Sequence, residues 1–322
     1  IRPPNAPHID VTINEQKLNG WKSHIQEYSI LSEYKERVNL RINGKKYLNV
    51  KVNRYDDLEN ETCMATMVKN EDNYILQWIR YHKEIGFTKF IIYDNAKSPN
   101  TRYSSDEKKS DLKKVLSKYI ESVEVILIDW KYPKSYLGVN VSGQKTQQHH
   151  ALMSFSMAKY IAFMDIDEFI NLSNFEDKMI NKDFRKITIQ NVLSNILVNN
   201  KVGIQMWCKF MQNIQRQPDN DYEFLKITDF FYCINGEQNS PSFKGNNSPK
   251  FIVKPKYVNS CAVHNFTPQK NYKSVVIKNY DSVYFNHYYF LNKKALNKWR
   301  NTRKCELTDS TLVKFYDILK YN

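Results

Sequence analysis

The spacing of apolar and polar positions changes near residue 60, and the change divides the chain. Before it, Val38-Asn39-Leu40-Arg41-Ile42 and Tyr47-Leu48-Asn49-Val50-Lys51-Val52 alternate apolar with polar side chains, the two-residue period of a half-buried strand. Asn43-Gly44 lies between them and is a strong hairpin signal. Residues 1–60 therefore read as an N-terminal appendage built on a small β-hairpin, its first residues Ile1 to Pro7 extended by three prolines. From Thr62 onward, unbroken apolar runs alternate with stretches of helical spacing. Strands are expected at Thr62–Val68, Phe87–Tyr93, Val123–Ile128 and Ile161–Met164. Between them helices are expected at Asn73–Ile85, with Ile75, Ile79 and His82 in register and Gly86 as the stop, at Glu107–Tyr119, and at Gln144–Met157. Asn70 or Asp72 is placed to cap the first of these. Strand and helix in strict alternation predict an α/β domain with a mostly parallel central sheet over residues 61–322. After Ile170 the pattern loosens. A helix at Ile187–Val198 and a strand at Val202–Trp207 precede a long polar stretch, Phe210–Lys250. Short strands follow at Phe251–Val253, Tyr257–Val263 and Val283–Phe285, and helices at Lys293–Lys304 and Asp309–Tyr321 close the chain.

Composition adds limits. The 322 residues are 41 % hydrophobic, ample for a core. No apolar run reaches the roughly 18 residues of a membrane span. The chain begins with Ile1, which suggests a processed or excised piece and leaves open an upstream anchor or signal. The net charge of +14 suits an anionic partner, yet Lys and Arg are spread along the chain rather than gathered into an arm, which argues against nucleic acid. The five cysteines, Cys63, Cys208, Cys233, Cys261 and Cys305, form no C-x-x-C pair and read as reduced thiols. That points to a cytoplasmic protein. The N-x-S/T sequons at Asn60, Asn140, Asn171, Asn246 and Asn265 say little in a chain so rich in Asn.

The stretch with chemistry in it is Lys159–Ile170, KYIAFMDIDEFI. A buried-strand pattern ends abruptly in Asp165, Asp167 and Glu168. On an extended segment residues i and i+2 share a face, so Asp165 and Asp167 are expected side by side at the carboxyl end of a strand, where open α/β sheets bind ligands. Two close carboxylates repel unless a cation or proton lies between them, and a hard divalent ion that also grips a diphosphate answers that need. As plain structure the same residues would form a polar turn or helix cap. The apolar run before them and Phe169-Ile170 after them favour a site.

A series of motifs in fixed order resembles glycosyltransferase family 92 and the related family-2-like transferases. They are Lys69-Asn70-Glu71, Trp78-Ile79-x-Tyr81-His82 with Gly86, Tyr93-Asp94-Asn95, F-M-D-I-D-E-F, Trp207-x-x-Phe210, Lys250-x-x-Val253-Lys254-Pro255, His264, and His287-Tyr288 before a Lys-rich helix with Lys298 and Arg300. Met211 and Lys254 depart from the family's usual Gly and Arg, both beside the acceptor side.

The resemblance implies a GT-A fold with a nucleotide-sugar-binding donor half, about 61–172, and an acceptor half, about 173–322. It implies transfer of a sugar from a nucleotide sugar, UDP- rather than GDP-linked, to a glycan hydroxyl with inversion. Mn²⁺ or Mg²⁺ would be held by Asp165, Asp167 and His264, with Asp167 the direct ligand and Asp165 alternatively turned to the ribose or sugar; Glu168 would either support the metal shell or cap the next helix. His264 as plain structure is a core histidine. Asn70, Glu71, Asp94 and Asn95 would line the base and ribose, or serve as caps and turns. Gln144, Lys145 and Gln148 would face the donor, and His287, Lys293, Lys294 and Lys298 the departing diphosphate. Inversion needs a general base. Asp219 and Asp221 are the candidates, with Glu223 and Asp229 also of the right type. His149-His150 diverge by about 100° on a helix and read as structural. Two other classes remain: a metal-dependent nuclease or nucleotidyltransferase, and an inactive glycan-binding module. Family members in animal cells are anchored and lumenal, so the alternative compartment is the Golgi lumen.

Overall fold

The computed structural model describes residues 11–13, 16–17, 37–42, 44–51, 56–69, 71–96, 111–130, 135–136, 139–140, 143–175, 187–212, 232–233, 249–277, 282–288, 307–308, 311–312 and 315. The chain separates into two compact units, Ile1–Leu58 and Glu59–Asn322.

The first unit is an antiparallel sheet of four strands in the order Gln16–Lys17, Val11–Ile13, Arg37–Ile42, Lys45–Lys51. The hairpin expected at Asn43-Gly44 is its core: Ile42 pairs with Lys45, and Gly44 takes a φ of 80° that favours glycine. Exposed and half-buried residues alternate strictly along Arg37–Ile42, as the sequence pattern requires. The two short strands, Val11–Ile13 and Gln16–Lys17, were not foreshadowed by the sequence pattern.

The second unit is α/β. Its strands are β1 (Thr62–Val68), β2 (Lys89–Asp94), β3 (Val125–Asp129), β4 (Tyr160–Phe163), β5 (Glu168–Asn171), β6 (Lys201–Met206), β7 (Cys208–Gln212), β8 (Lys250–Val253), β9 (Val258–Ala262), β10 (Asn265–Pro268), β11 (Lys273–Val276) and β12 (Tyr284–His287). Seven of them form the central sheet, in the order β11-β6-β8-β4-β1-β2-β3. Only β8 runs against its neighbours, so the sheet is mostly parallel. The residues of β1 and β4 are almost all buried, which is why they read as unbroken apolar runs rather than alternations.

Helix α1 (Asp72–Glu84) packs Ile75, Trp78, Ile79 and Tyr81 into the core. It stops at Gly86, whose φ of 104° lets the chain turn back. A Cβ there would lie 2.5 Å from Gln190 Oε1, because α3 (Ile189–Ile196) docks on this corner. Thr188 caps α3 through a reciprocal bond with Asn191. Helix α2 (Gly143–Ser154) leads into β4.

The expected helix at Glu107–Tyr119 is two short segments, Leu112–Val115 and Ser117–Glu121, within the described residues. Val123 takes a φ of 58°, so β3 begins two residues later than its apolar run. The helix expected at Lys293–Lys304 lies outside the described residues, as does most of that at Asp309–Tyr321.

A second sheet runs β5-β12-β7, then Tyr232–Cys233 and Leu307–Thr308. Two of its connections to the central sheet are short. From β4 the chain passes through Met164–Asp167 into β5, and from β6 it passes through the single residue Trp207 into β7. Asp165, Asp167, Glu168, Lys250 and His287 lie along this seam.

Candidate active site

The seam collects charge because each strand that crosses it ends or begins there. Asp165 and Asp167 sit between β4 and β5, and Glu168 opens β5. Glu168 is opposite His287 at the end of β12, and His287 is opposite Phe210 of β7. Lys250 opens β8.

The link between β4 and β5 is not extended: Ile166 and Asp167 form a turn, closed by a 3.1 Å hydrogen bond from Glu168 N to Asp165 O. The expectation that Asp165 and Asp167 share a face rested on an extended chain, and here the two carboxylates find different partners. Asp165 Oδ2 lies 2.5 Å from Lys250 Nζ, and Asp165 Oδ1 accepts from Gln144 Nε2 at 2.7 Å. Asp167 Oδ2 lies 3.3 Å from His287 Nε2. Glu168 joins the two groups. Its Oε2 accepts from Asp165 N at 2.8 Å and meets Lys250 Nζ at 3.2 Å, while its Oε1 lies 3.8 Å from His287 Nδ1. The Lys250 side chain is 1 % exposed and that of Glu168 2 %, so this pairing is dry.

Burial and charge set the protonation of the group. Burial acts against the Lys250 ammonium, but Asp165 and Glu168 outweigh it and hold the lysine above its ordinary range. Burial pushes Glu168 up to about 7, against the pull of Lys250. Burial works to raise Asp167 too, but the charge and hydrogen bond of His287, with the charge of Lys250, keep its carboxyl below the usual range. His287 rises well above its ordinary value, because Asp167 overcomes the cost of burial. Cys208 of β7 shares a hydrogen bond with His287, though burial still pushes the thiol up. Phe210 stacks on the imidazole at 5.3 Å. Glu71 is pushed up to about 8 by burial and by the nearby charges of Asp167 and Asp165.

A buried frame steadies the acidic turn from below. Trp78 Nε1 donates to Glu168 O at 3.0 Å, and the Tyr81 hydroxyl donates to Ile170 O at 2.5 Å. Ile170 N donates to His82 Nε2 at 3.3 Å, so His82 Nδ1 carries the proton that bonds Trp78 O at 2.8 Å. Burial drives the His82 pKa down to about 3, which keeps this imidazole neutral.

One ligand atom from each of Asp167, Glu168 and His287 lies within 4.8 Å of the others. Two carboxylate oxygens and an imidazole nitrogen form a donor set that fits Mn²⁺ or Mg²⁺, both oxygen-preferring ions. Of the expected ligands, Asp167 is in this set. Asp165 is engaged by Lys250 and Gln144. His264 Nδ1 instead donates to Pro249 O at 3.2 Å, although His264 is close enough to Lys250 and Asp165 to feel their charges. Asp94 ends β2 and accepts from Ala96 N at 3.0 Å, and Asn95 Nδ2 donates to Trp130 O at 2.6 Å. Both residues thus shape the turn at the carboxyl edge of the sheet. Lys145 is half-buried on α2. His149 and His150 part as expected: His149 Nε2 accepts from Cys261 N at 3.4 Å, and His150 Nδ1 meets the Tyr93 hydroxyl at 2.8 Å. Asn70, Asp219, Asp221, Glu223, Asp229, Lys293, Lys294 and Lys298 lie outside the described residues. Sequence reasoning missed Lys250, named only within a motif, and Cys208, taken for a small core residue. Only a charged residue opening an otherwise apolar strand hinted at the first.

Residues 59–321 match the model of glycosyltransferase family 92. The chain belongs to this family. The family 92 match begins at the first residue of the second compact unit and includes the whole acidic cluster. A glycosyltransferase family 92 protein of Ricinus communis is 30 % identical over 127 residues, which are 38 % of this chain and 20 % of that protein. One of Oryza sativa subsp. japonica is 26 % identical over 141 residues, covering 44 % of this chain and 19 % of its own. The matched stretches thus span about a fifth of these relatives. Among solved structures, the bifunctional glycosyltransferase WbbM aligns with 68 % of this chain and 35 % of its own, at 11 % identity and a TM-score of 0.31. At that TM-score the likeness says nothing further about this chain.

Proposed function

We propose that this family 92 chain is a metal-dependent glycosyltransferase. It moves a sugar from a nucleotide-sugar donor, of the UDP class, to a hydroxyl of a glycan acceptor, with inversion. The observation that carries the reading is the cluster of Asp167, Glu168 and His287 beyond the carboxyl end of β4, a parallel central strand, where α/β sheets bind their ligands. Asp167 and Glu168 would hold Mn²⁺ or Mg²⁺ through oxygen, and His287 through nitrogen. When bound, such an ion supplies positive charge to the leaving diphosphate.

The protein's own residues do the rest. Phe210 and Cys208 orient the His287 ring against Asp167. Trp78 and Tyr81 fix the backbone of β5, so Glu168 keeps its place. Glu71, Asp94 and Asn95 would bound the nucleoside pocket at the carboxyl edge of the sheet, with Lys145 at its flank. The donor half is 61–172 and the acceptor half 173–322. The base that takes the acceptor proton is assigned to the stretch containing Asp219 and Asp221, since inversion requires one.

The test is calorimetric titration of UDP and of GDP with and without Mn²⁺, followed by diphosphate release from nucleotide sugars in the presence of glycan acceptors. Mn²⁺-dependent binding of UDP with acceptor-dependent turnover is expected. In D167N the turnover should fall by roughly a hundredfold or more, with circular dichroism unchanged. Sugar binding without nucleotide binding would make the protein a lectin-like module. Full turnover in D167N would remove the metal assignment.

A further inference from the structure

The centre carries a cation of its own, and its position decides which carboxylates are left for a metal. Lys250 Nζ sits 2.5 Å from Asp165 Oδ2 and 3.2 Å from Glu168 Oε2. Both Asp165 oxygens are engaged, Oδ2 by Lys250 and Oδ1 by Gln144. In Glu168 the partners gather on one oxygen: Oε2 is taken by Lys250 and by Asp165 N, and Oε1 faces His287. Metal ligation needs His287 neutral and Glu168 ionised; in that state the three carboxylates of the acidic turn against one ammonium leave two negative charges, which one divalent ion balances. Lys250 comes from β8, the one antiparallel strand of the central sheet, whose residues Lys250 and Phe251 pair with Met206 and Gln205 of β6 and whose Phe251 pairs with Phe163 of β4. The ammonium is therefore held by sheet register rather than by a loop. Leaving a buried lysine side chain 1 % exposed is costly unless its partners are fixed, so the site is built around the pairing.

We infer that Lys250 is a positioning residue that withdraws Asp165 from the metal's ligands and aims Glu168 Oε1 at it, so that the ion is held by Asp167, Glu168 and His287 and not by the pair of aspartates. The inference rests on the metal-dependent reading above. It makes Lys250 the internal counter-ion of the D-x-D-E turn, a role distinct from contact with substrate.

The experiment is a double-mutant cycle on Mn²⁺ affinity in the full chain. It is read by calorimetry and by the electron paramagnetic resonance signal of free Mn²⁺, with no donor or acceptor present. D165N should change the Mn²⁺ Kd by no more than about threefold, and D167N should weaken it by more than about tenfold. In K250M, Asp165 is released toward the ion, so binding should tighten by roughly tenfold. In that background D165N should reverse the gain. If D165N alone weakens Mn²⁺ as much as D167N, Asp165 is a ligand and the inference fails while the metal reading stands. If D165N has the same effect with and without Lys250, the coupling is absent and the inference fails in the same way. Should K250M not fold, the comparison of D165N with D167N decides by itself, since both replacements are isosteric. Absence of Mn²⁺ binding to the native protein, with turnover intact, would overturn both readings together.

Discussion

Asp165 and Asp167 are two residues apart and answer to different partners, Lys250 for one and His287 for the other. A carboxylate's role here is set by what reaches it, not by its place in a motif. Protonation follows the same logic and gives a prediction. Glu71 has a folded pKa of about 8 against an ordinary 4.5, so between those values the folded protein binds more protons than the unfolded one. Its contribution to stability is therefore present at low pH and lost as pH rises from about 4.5 to about 8. Glu168, raised to about 7, acts in the same direction. So does His287, whose contribution is complete below the ordinary histidine pKa and fades as pH climbs through its raised folded value. Glu71→Gln should flatten this slope. In thermal melts with chelator present, the variant should gain Tm over the native chain at pH 8.5 and gain none at pH 4. Parallel curves across that range would refute the raised Glu71.

At the scale of elements, the acidic turn depends on α1 more than on its own strand. Trp78 and Tyr81 reach from one face of α1 to the backbone of β5, and His82 accepts from Ile170 N. Trp78→Phe keeps an aromatic ring but removes the donor to Glu168 O. Leaving that buried carbonyl unsatisfied should cost about 1–3 kcal/mol in urea denaturation with an unchanged m-value. Mn²⁺ affinity should fall along with it, because Glu168 loses its anchor. A stability loss with Mn²⁺ affinity untouched would show that α1 supports the fold and not the site. The helix-to-strand pattern of this region was legible because β1, β2 and β4 are buried on both faces and α1 on one. Apolar runs and helical spacing follow directly from such burial. Less legible were the two short strands of the first unit, two and three residues long, and the broken helix at residues 112–121, where propensity alone allows one continuous helix.

At the scale of the molecule, a chain of net charge +14 surrounds an acidic centre. On the proposed function the two would be complementary for a diphosphate ligand: the surface field would draw the anion in, and a divalent ion would reconcile it with the carboxylates. Nucleotide diphosphate binding in the presence of Mn²⁺ should therefore weaken several-fold between 50 and 300 mM NaCl, while binding of the uncharged nucleoside should not. Equal salt dependence for both would mean that the positive charge lies elsewhere on the surface and plays no part. The thiols Cys63, Cys208 and Cys261 are buried.

The amino-acid sequence by itself determined the order of the central-sheet strands from β1 to β4 and of the helices α1 and α2, the hairpin at Asn43-Gly44, and the position of three carboxylates just beyond a buried strand. Those are local matters, encoded in spacing along a few residues. Which carboxylate faces which cation was decided only by the tertiary structure. Lys250 arrives 85 residues after Asp165 and His287 120 residues after Asp167, each on a strand whose register is set by sheet pairing. The turn at Ile166-Asp167 belongs to the same class, because the chain bends there to pass from one sheet to the other. No alternation of apolar and polar residues carries that information. It is fixed by the packing of two sheets along a common seam.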